Sequence, residues 1–169
     1  MLEYREDLEY YWVDGPAYPV TPAQSCPLAA DLLAALTART GTFYFSHSGA
    51  LLKLLALLGL AGEERLTADG FARVGAERRW RTSRIGPFAG NVFFVLLAPV
   101  GRGAAGEEEM EVLMFLNEVV TAVPGCGGEG VPCTLAALRR LHGAPCRFED
   151  ICRLEEEDSR DGEVPDDRY

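Results

Sequence analysis

Histidine is scarce in this chain: two among 169 residues. Basic excess is absent too, because 16 lysines and arginines face 26 acids, for a net charge of -10 and a pI near 4.7. Binding to nucleic acid through neutralised phosphates therefore has no support, although a locally positive cleft can still take an anionic small molecule. Long apolar runs are missing as well. The most apolar stretch, Ala50 to Gly62, is too short to span a bilayer and carries Lys53, so it reads as a core helix and no membrane span is expected. No secretory apolar region follows Met1, since "MLEYREDLEYYW" is charged from its third residue. A secreted form would need a start that this sequence does not contain. Internal repeats are absent.

What is present suits one folded domain. Hydrophobic residues make up 48% of the chain, enough for a real core. Eight acids and two arginines between Glu155 and Tyr169 leave that end at -6, so residues 1–152 are read as the folded part and 153–169 as an acidic, disordered tail. Five cysteines are many for a reducing compartment. Cys126 with Cys133, and Cys146 with Cys152, are the pairs expected from their closeness, which leaves Cys26 over. Zinc is the weaker alternative, because no paired Cys-x-x-Cys occurs and His142 is the only imidazole near the cluster.

Hydrophobic spacing predicts a helix over residues 2–12, broken by glycine and two prolines in "VDGPAYP". A second helix is predicted from near Ser25, with Pro27 in its first turn and Leu28, Leu32, Leu33 and Leu36 as its buried stripe. "TFYFS" (42–46) is rich in β-formers and reads as a short buried strand, followed by the helix "ALLKLLALL" closed by Gly59. Two further strands, 91–98 and 111–117, are expected to pair antiparallel, and a helix is expected over 134–141. Trp12, Trp80, Phe88 and Phe94 are assigned to the core. The order of elements points to an α/β sandwich.

The turn at "SHSG" (46–49) is the candidate site. A strand end running into a helix N-terminus is where α/β sheets bind ligands, and the free N–H groups of Ser48, Gly49 and Ala50 favour a phosphate or carboxylate. Gly49 lets a ligand approach the backbone, and His47 can donate to an anion. The competing reading is a half-buried histidine satisfied by its neighbours, with Ser48 merely capping the helix. Arg73, Arg78, Arg79, Arg81 and Arg84 form either a basic rim or a solvated loop, and Lys53 is read as reaching out to solvent.

"YFSHSGALLKLLALLGL" resembles the second histidine motif of the histidine acid phosphatases, which reads His-Asp or His-Ala-Glu at a strand end. More specifically it is similar to the multiple inositol polyphosphate phosphatases (clade 2) in an invertebrate-like form. The likeness extends through "YREDLEYYWVDGPAYPVTPAQSCPLAADLL", "RRWRTSRIGPFAGNVFFVLL", "VLMFLNEVVTAVPGC", "CTLAALRRL" and "CRFEDIC", in order from Tyr4 to Cys152. The resemblance implies a C-terminal portion of a phosphoglycerate-mutase-like histidine phosphatase sandwich, with some of its helical cap. It implies a phosphomonoester hydrolase acting on inositol polyphosphates such as phytate, and on 2,3-bisphosphoglycerate, through a phosphohistidine intermediate and without cofactor or metal. It also implies secretion or residence in the endoplasmic reticulum lumen.

Transferred to this sequence, His47 matches the phosphate-binding histidine of the motif, with Ser48 and Gly49 beside it as substrate-binding positions. There are two departures. Ser48 and Gly49 stand where the family carries its acidic proton donor, and neither side chain is an ordinary general acid. The nucleophile motif Arg-His-Gly-x-Arg-x-Pro occurs nowhere; "RRLHGAPCR" (139–147) has Leu141 in place of the arginine before His142 and the wrong downstream spacing. His142 is accordingly read as an exposed residue near a helix end. The chain alone is expected to be inactive, with the nucleophile in a missing N-terminal half. The alternative is a pseudophosphatase or inositol-phosphate-binding protein.

Overall fold

The first helix, α1 (Leu2–Val13), has Tyr4, Asp7 and Tyr11 on its buried face. One of those three is a carboxylate, and it fixes the helix in place. Asp7 is fully buried and accepts hydrogen bonds at Oδ2 from Nε (2.7 Å) and Nη2 of Arg78, and at Oδ1 from the Thr82 amide (2.7 Å) and hydroxyl (2.8 Å). Its carbonyl accepts from Trp80 Nε1 at 3.0 Å. Every lone pair of this buried charge is thereby matched, the condition under which an ion pair can be kept out of water. One turn earlier Glu3 takes hydrogen bonds from Ser83 Oγ (2.7 Å) and from the Arg81 guanidinium (2.9 Å), which hold its carboxyl down at about 2.

The computed structural model describes residues 2–62, 64–74, 77–100, 106–127, 132–146 and 151. After α1 come the short α2 (Val20–Ala23) and then α3 (Cys26–Ala38), with a proline in its first turn and Arg39 in the left-handed conformation at its end. An extended segment leads to α4 (Ser48–Leu57), which Gly59 closes at φ +78°. Two single-turn helices, α5 (Phe71–Val74) and α6 (Thr82–Ile85), precede the sheet.

The sheet is antiparallel. β1 (Val92–Leu97) pairs along its whole length with β2 (Glu111–Leu116), as the sequence predicts. On the other side of β2 lie β3 (Val119–Thr121) and β4 (Cys133–Thr134), both unforeseen. The β2–β3 hairpin turns on Asn117 and Glu118, both at positive φ (48° and 69°), the geometry of a two-residue turn that suits strand twist. Finally α7 (Leu135–His142) starts at Thr134, whose hydroxyl accepts from the Ala137 amide at 3.1 Å.

α4 separates two cores. Leu54 and Leu58 face Leu33 and Leu36 of α3, Met110, Val112 and Met114 on the sheet side, and Leu135 and Leu138 of α7. Leu52 faces Tyr4, Tyr11, Leu66, Val74 and Trp80. Helices over an antiparallel sheet agree with the coarse α/β expectation.

Four expectations need correction. "TFYFS" is extended but is neither buried nor paired with a strand among the described residues: Phe43 and Phe45 are 84% and 95% exposed. β-propensity marks a segment's own preference, whereas burial needs a neighbour, and no described strand lies beside it. Phe88 is fully exposed rather than core, while Trp80 is buried and Trp12 and Phe94 pack at core edges. His142 is half-buried rather than exposed; its Nε2 is enclosed with no partner among the described residues, and burial pulls its titration below the usual 6.5. The fourth correction concerns the cysteines. Cys126–Cys133 forms as expected, but Cys146 bonds to Cys26 rather than Cys152, because folding brings α3's first residue beside the segment after α7. Cys152 and the expected tail 153–169 lie outside the described residues.

Two measurements test these links. Replacing Asp7 by alanine leaves the buried Arg78 charge with only the half-exposed Glu3 carboxylate at 3.4 Å, and urea unfolding should show a loss of about 3 kcal/mol. Peptide mapping without reduction should recover a Cys26–Cys146 peptide. By loop length, its loss should cost about 5 kcal/mol against about 2.5 kcal/mol for Cys126–Cys133.

Candidate functional site

His47 is the N-cap of α4, with extended backbone (φ -117°, ψ 170°), so its carbonyl accepts the Ala50 amide at 3.1 Å and the Leu51 amide at 3.4 Å. Of the three amides offered by the sequence reading, Ala50's is thus already used, leaving those of Ser48 and Gly49 pointing out of the helix end. The imidazole is exposed and makes no hydrogen bond among the described residues, so it is not a core histidine satisfied by neighbours. Ser48 makes no capping bond of the kind the alternative required; the cap is His47 itself, and its side chain takes no part.

These residues form one wall of a cleft of about 530 Å³, the size of small-molecule sites. His47, Ser48, Gly49, Ala50 and Lys53 come from the start of α4; the opposite wall is Tyr10 and Asp14 at the end of α1, with Gln24, Ser25 and Leu28 at the start of α3. The disulfide at Cys26 anchors that last wall next to Ser25.

Asp14 and Lys53 were not predicted here. Lys53 Nζ meets Asp14 Oδ1 at 2.8 Å, with side chains 24% and 12% exposed, so the lysine turns into the cleft rather than out to solvent. Gly49 makes room for this pair: a Cβ on it would lie 3.1 to 3.2 Å from all three atoms of the Asp14 carboxylate. An acid directly after a helix opposes that helix's dipole, but solvent can satisfy it as readily as a lysine, so the sequence carries no signal of this pair. The arginine rim does not form: none of the five arginines lines the cleft, Arg78 and Arg81 are committed to Asp7 and Glu3, and Arg73 lies 4.0 Å from Glu64.

No family model matches the chain. Multiple inositol polyphosphate phosphatase 1 of Drosophila melanogaster is 33% identical over 130 residues, 75% of this chain and 27% of the relative. The Gallus gallus protein of the same name is 31% identical over 170 residues, 91% of this chain and 37% of the relative. That of Homo sapiens is 32% identical over 133 residues, 71% and 27%. The chain belongs to the multiple inositol polyphosphate phosphatase family.

It spans between 27% and 37% of the length of these relatives. Within this family member, His47, Ser48 and Gly49 do come together on one cleft wall, whereas His142, on α7, does not line the cleft. The two disulfides are compatible with an extracellular or lumenal protein. Among the described residues no helix is long and apolar enough to cross a membrane, and no group of three metal-binding side chains occurs.

Lys53 is the only lysine in the chain, which gives the cleft a chemical handle. An ammonium hydrogen-bonded to a carboxylate and mostly covered reacts slowly with amine reagents. Asp14→Asn should speed its labelling several-fold, read by peptide mass spectrometry.

Proposed function

We propose that this chain forms the phosphate-binding wall of a phosphomonoesterase acting on inositol polyphosphates such as phytate, and on 2,3-bisphosphoglycerate. The observation that carries this is the cleft at the start of α4, lined by an exposed imidazole, an ammonium paired with Asp14, and Ser48 and Gly49, whose amides have no partner among the described residues. Each is a donor to phosphate oxygens, and amides at a helix start add the positive end of its dipole. The family relationship supplies the substrate class. His47 binds phosphate, and Ser48 and Gly49 present their backbone to it.

In this reading the fold is a C-terminal portion, over residues 1–152, of a histidine phosphatase sandwich, with the acidic tail 153–169 outside it. A histidine nucleophile supplied by residues outside this sequence attacks phosphorus and forms the phosphohistidine intermediate. The product alcohol leaves with a proton from a general acid. Neither cofactor nor metal takes part, and the protein works in the secretory lumen or outside the cell.

A second reading, a binding protein without turnover, is favoured by one specific fact: neither Ser48 nor Gly49, at the position of the family's proton donor, is an acid. Titration calorimetry with phytate separates both from a cleft without function. The chain is expected to bind phytate without releasing phosphate, and His47→Ala should weaken binding at least tenfold. Unchanged affinity in that variant would remove His47 from the site. Phosphate release by the chain alone would contradict the need for an outside nucleophile.

A further inference from the structure

The cleft already contains an anion of its own. Asp14 belongs to the C-terminal end of α1, its amide donating to the Tyr10 carbonyl at 2.9 Å, where a negative charge is disfavoured by α1 itself. It is held instead by the other wall. Lys53 approaches at 2.8 Å, and the flat carboxylate lies against Gly49 at the first turn of α4. Lys53 is the cleft donor that it engages among the described residues.

Resting on the phosphate-binding reading above, we propose that Asp14 is the specificity-determining residue of this cleft. Its carboxylate competes with the ligand for Lys53 and lies against the first turn of α4, so a lone phosphate is rejected and a ligand bearing several phosphates displaces it. The charges support this. Lys53 and Asp14 cancel, and the remaining lining groups are His47, Tyr10 and uncharged side chains, so a single phosphate meets no net positive charge while Asp14 stays in place. A like charge a few ångströms away is costly in a partly enclosed site, and an exposed one less so; here the carboxylate is 12% exposed. Volume points the same way. A cleft of about 530 Å³ exceeds what one phosphate fills, so a polyphosphate gains contacts elsewhere along the walls that offset the loss of the internal pair. Gly49 belongs to the same device, since a Cβ there would press on the carboxylate at 3.1 to 3.2 Å and push it aside by a few tenths of an ångström.

The test measures inorganic phosphate and phytate binding by calorimetry, on the full chain and on Asp14→Asn. Inorganic phosphate should bind the variant about tenfold more tightly or better. Phytate should gain only two- to threefold, so the preference for the polyphosphate shrinks. Equal gains for both ligands, no gain, or weaker phosphate binding would overturn the proposal; the last would mean that Asp14 only positions Lys53. A wild-type chain that binds neither ligand would defeat the phosphate-binding reading itself. Binding of phytate with an unaltered preference in the variant would defeat only the role of Asp14. If Asp14→Asn melts early, Asp14→Ser replaces it. Labelling of Lys53 in the wild-type chain gives an independent readout: phytate should protect it and an equal concentration of inorganic phosphate should not, and equal protection by both would also overturn the proposal.

Discussion

The placement of α1 depends on a single buried carboxylate. Asp7 gathers Arg78, Thr82 and, through its carbonyl, Trp80, residues more than seventy positions away, and so ties the first helix to the segment that leads into the sheet. Without that tie the second core, with Trp80 and Tyr11 in edge contact at 6.0 Å, has its apolar packing and the more exposed Glu3 contacts to set its register. Packing is tolerant of small rotations, whereas a carboxylate with all its acceptor sites engaged is not. The far end of the same helix carries Asp14 and Tyr10, so the shape of the cleft is inherited from an ion pair two turns away from it.

α4 is the other organising element. It is apolar on nearly every side, as a helix between two cores must be, and polar only at its beginning and at Lys53. A ligand at its N-terminus therefore acts on an element that cannot shift without disturbing both cores. Such rigidity fixes the backbone of that cleft wall, so any rearrangement there falls to side chains such as the Asp14–Lys53 pair rather than to the helix.

Much of this was readable in advance. The helices α1, α3, α4 and α7 follow from apolar spacing and from Pro27 and Gly59, and the β1–β2 pair from two β-rich runs around a polar loop. The turn of His47 into α4 followed from composition alone. What escaped has common physical causes. Asn117 and Glu118 turn a hairpin without a glycine, so the β-branched run of β3 carries no turn signal to mark it off from β2. Thr42 to Ser46 has the composition of a strand, yet pairing belongs to two segments and no described strand lies beside this one. The Asp14–Lys53 contact joins residues 39 positions apart across two helices, and neither residue type announces it. Cys26–Cys146 has no signal in cysteine spacing, because closeness along the chain differs from closeness in space.

That disulfide also sets a timetable for biosynthesis. Its two sulfurs are separated by 120 residues, so at ordinary synthesis speeds on the order of ten seconds pass between the emergence of the first and of the second. Through that interval Cys26 is a thiol beside the unfinished cleft, while Cys133 reaches Cys126 within a second or so. The small loop can therefore close first and remove both of its cysteines from competition. By the time Cys146 arrives, fewer wrong partners remain for Cys26, and order of appearance does part of the work otherwise left to disulfide exchange.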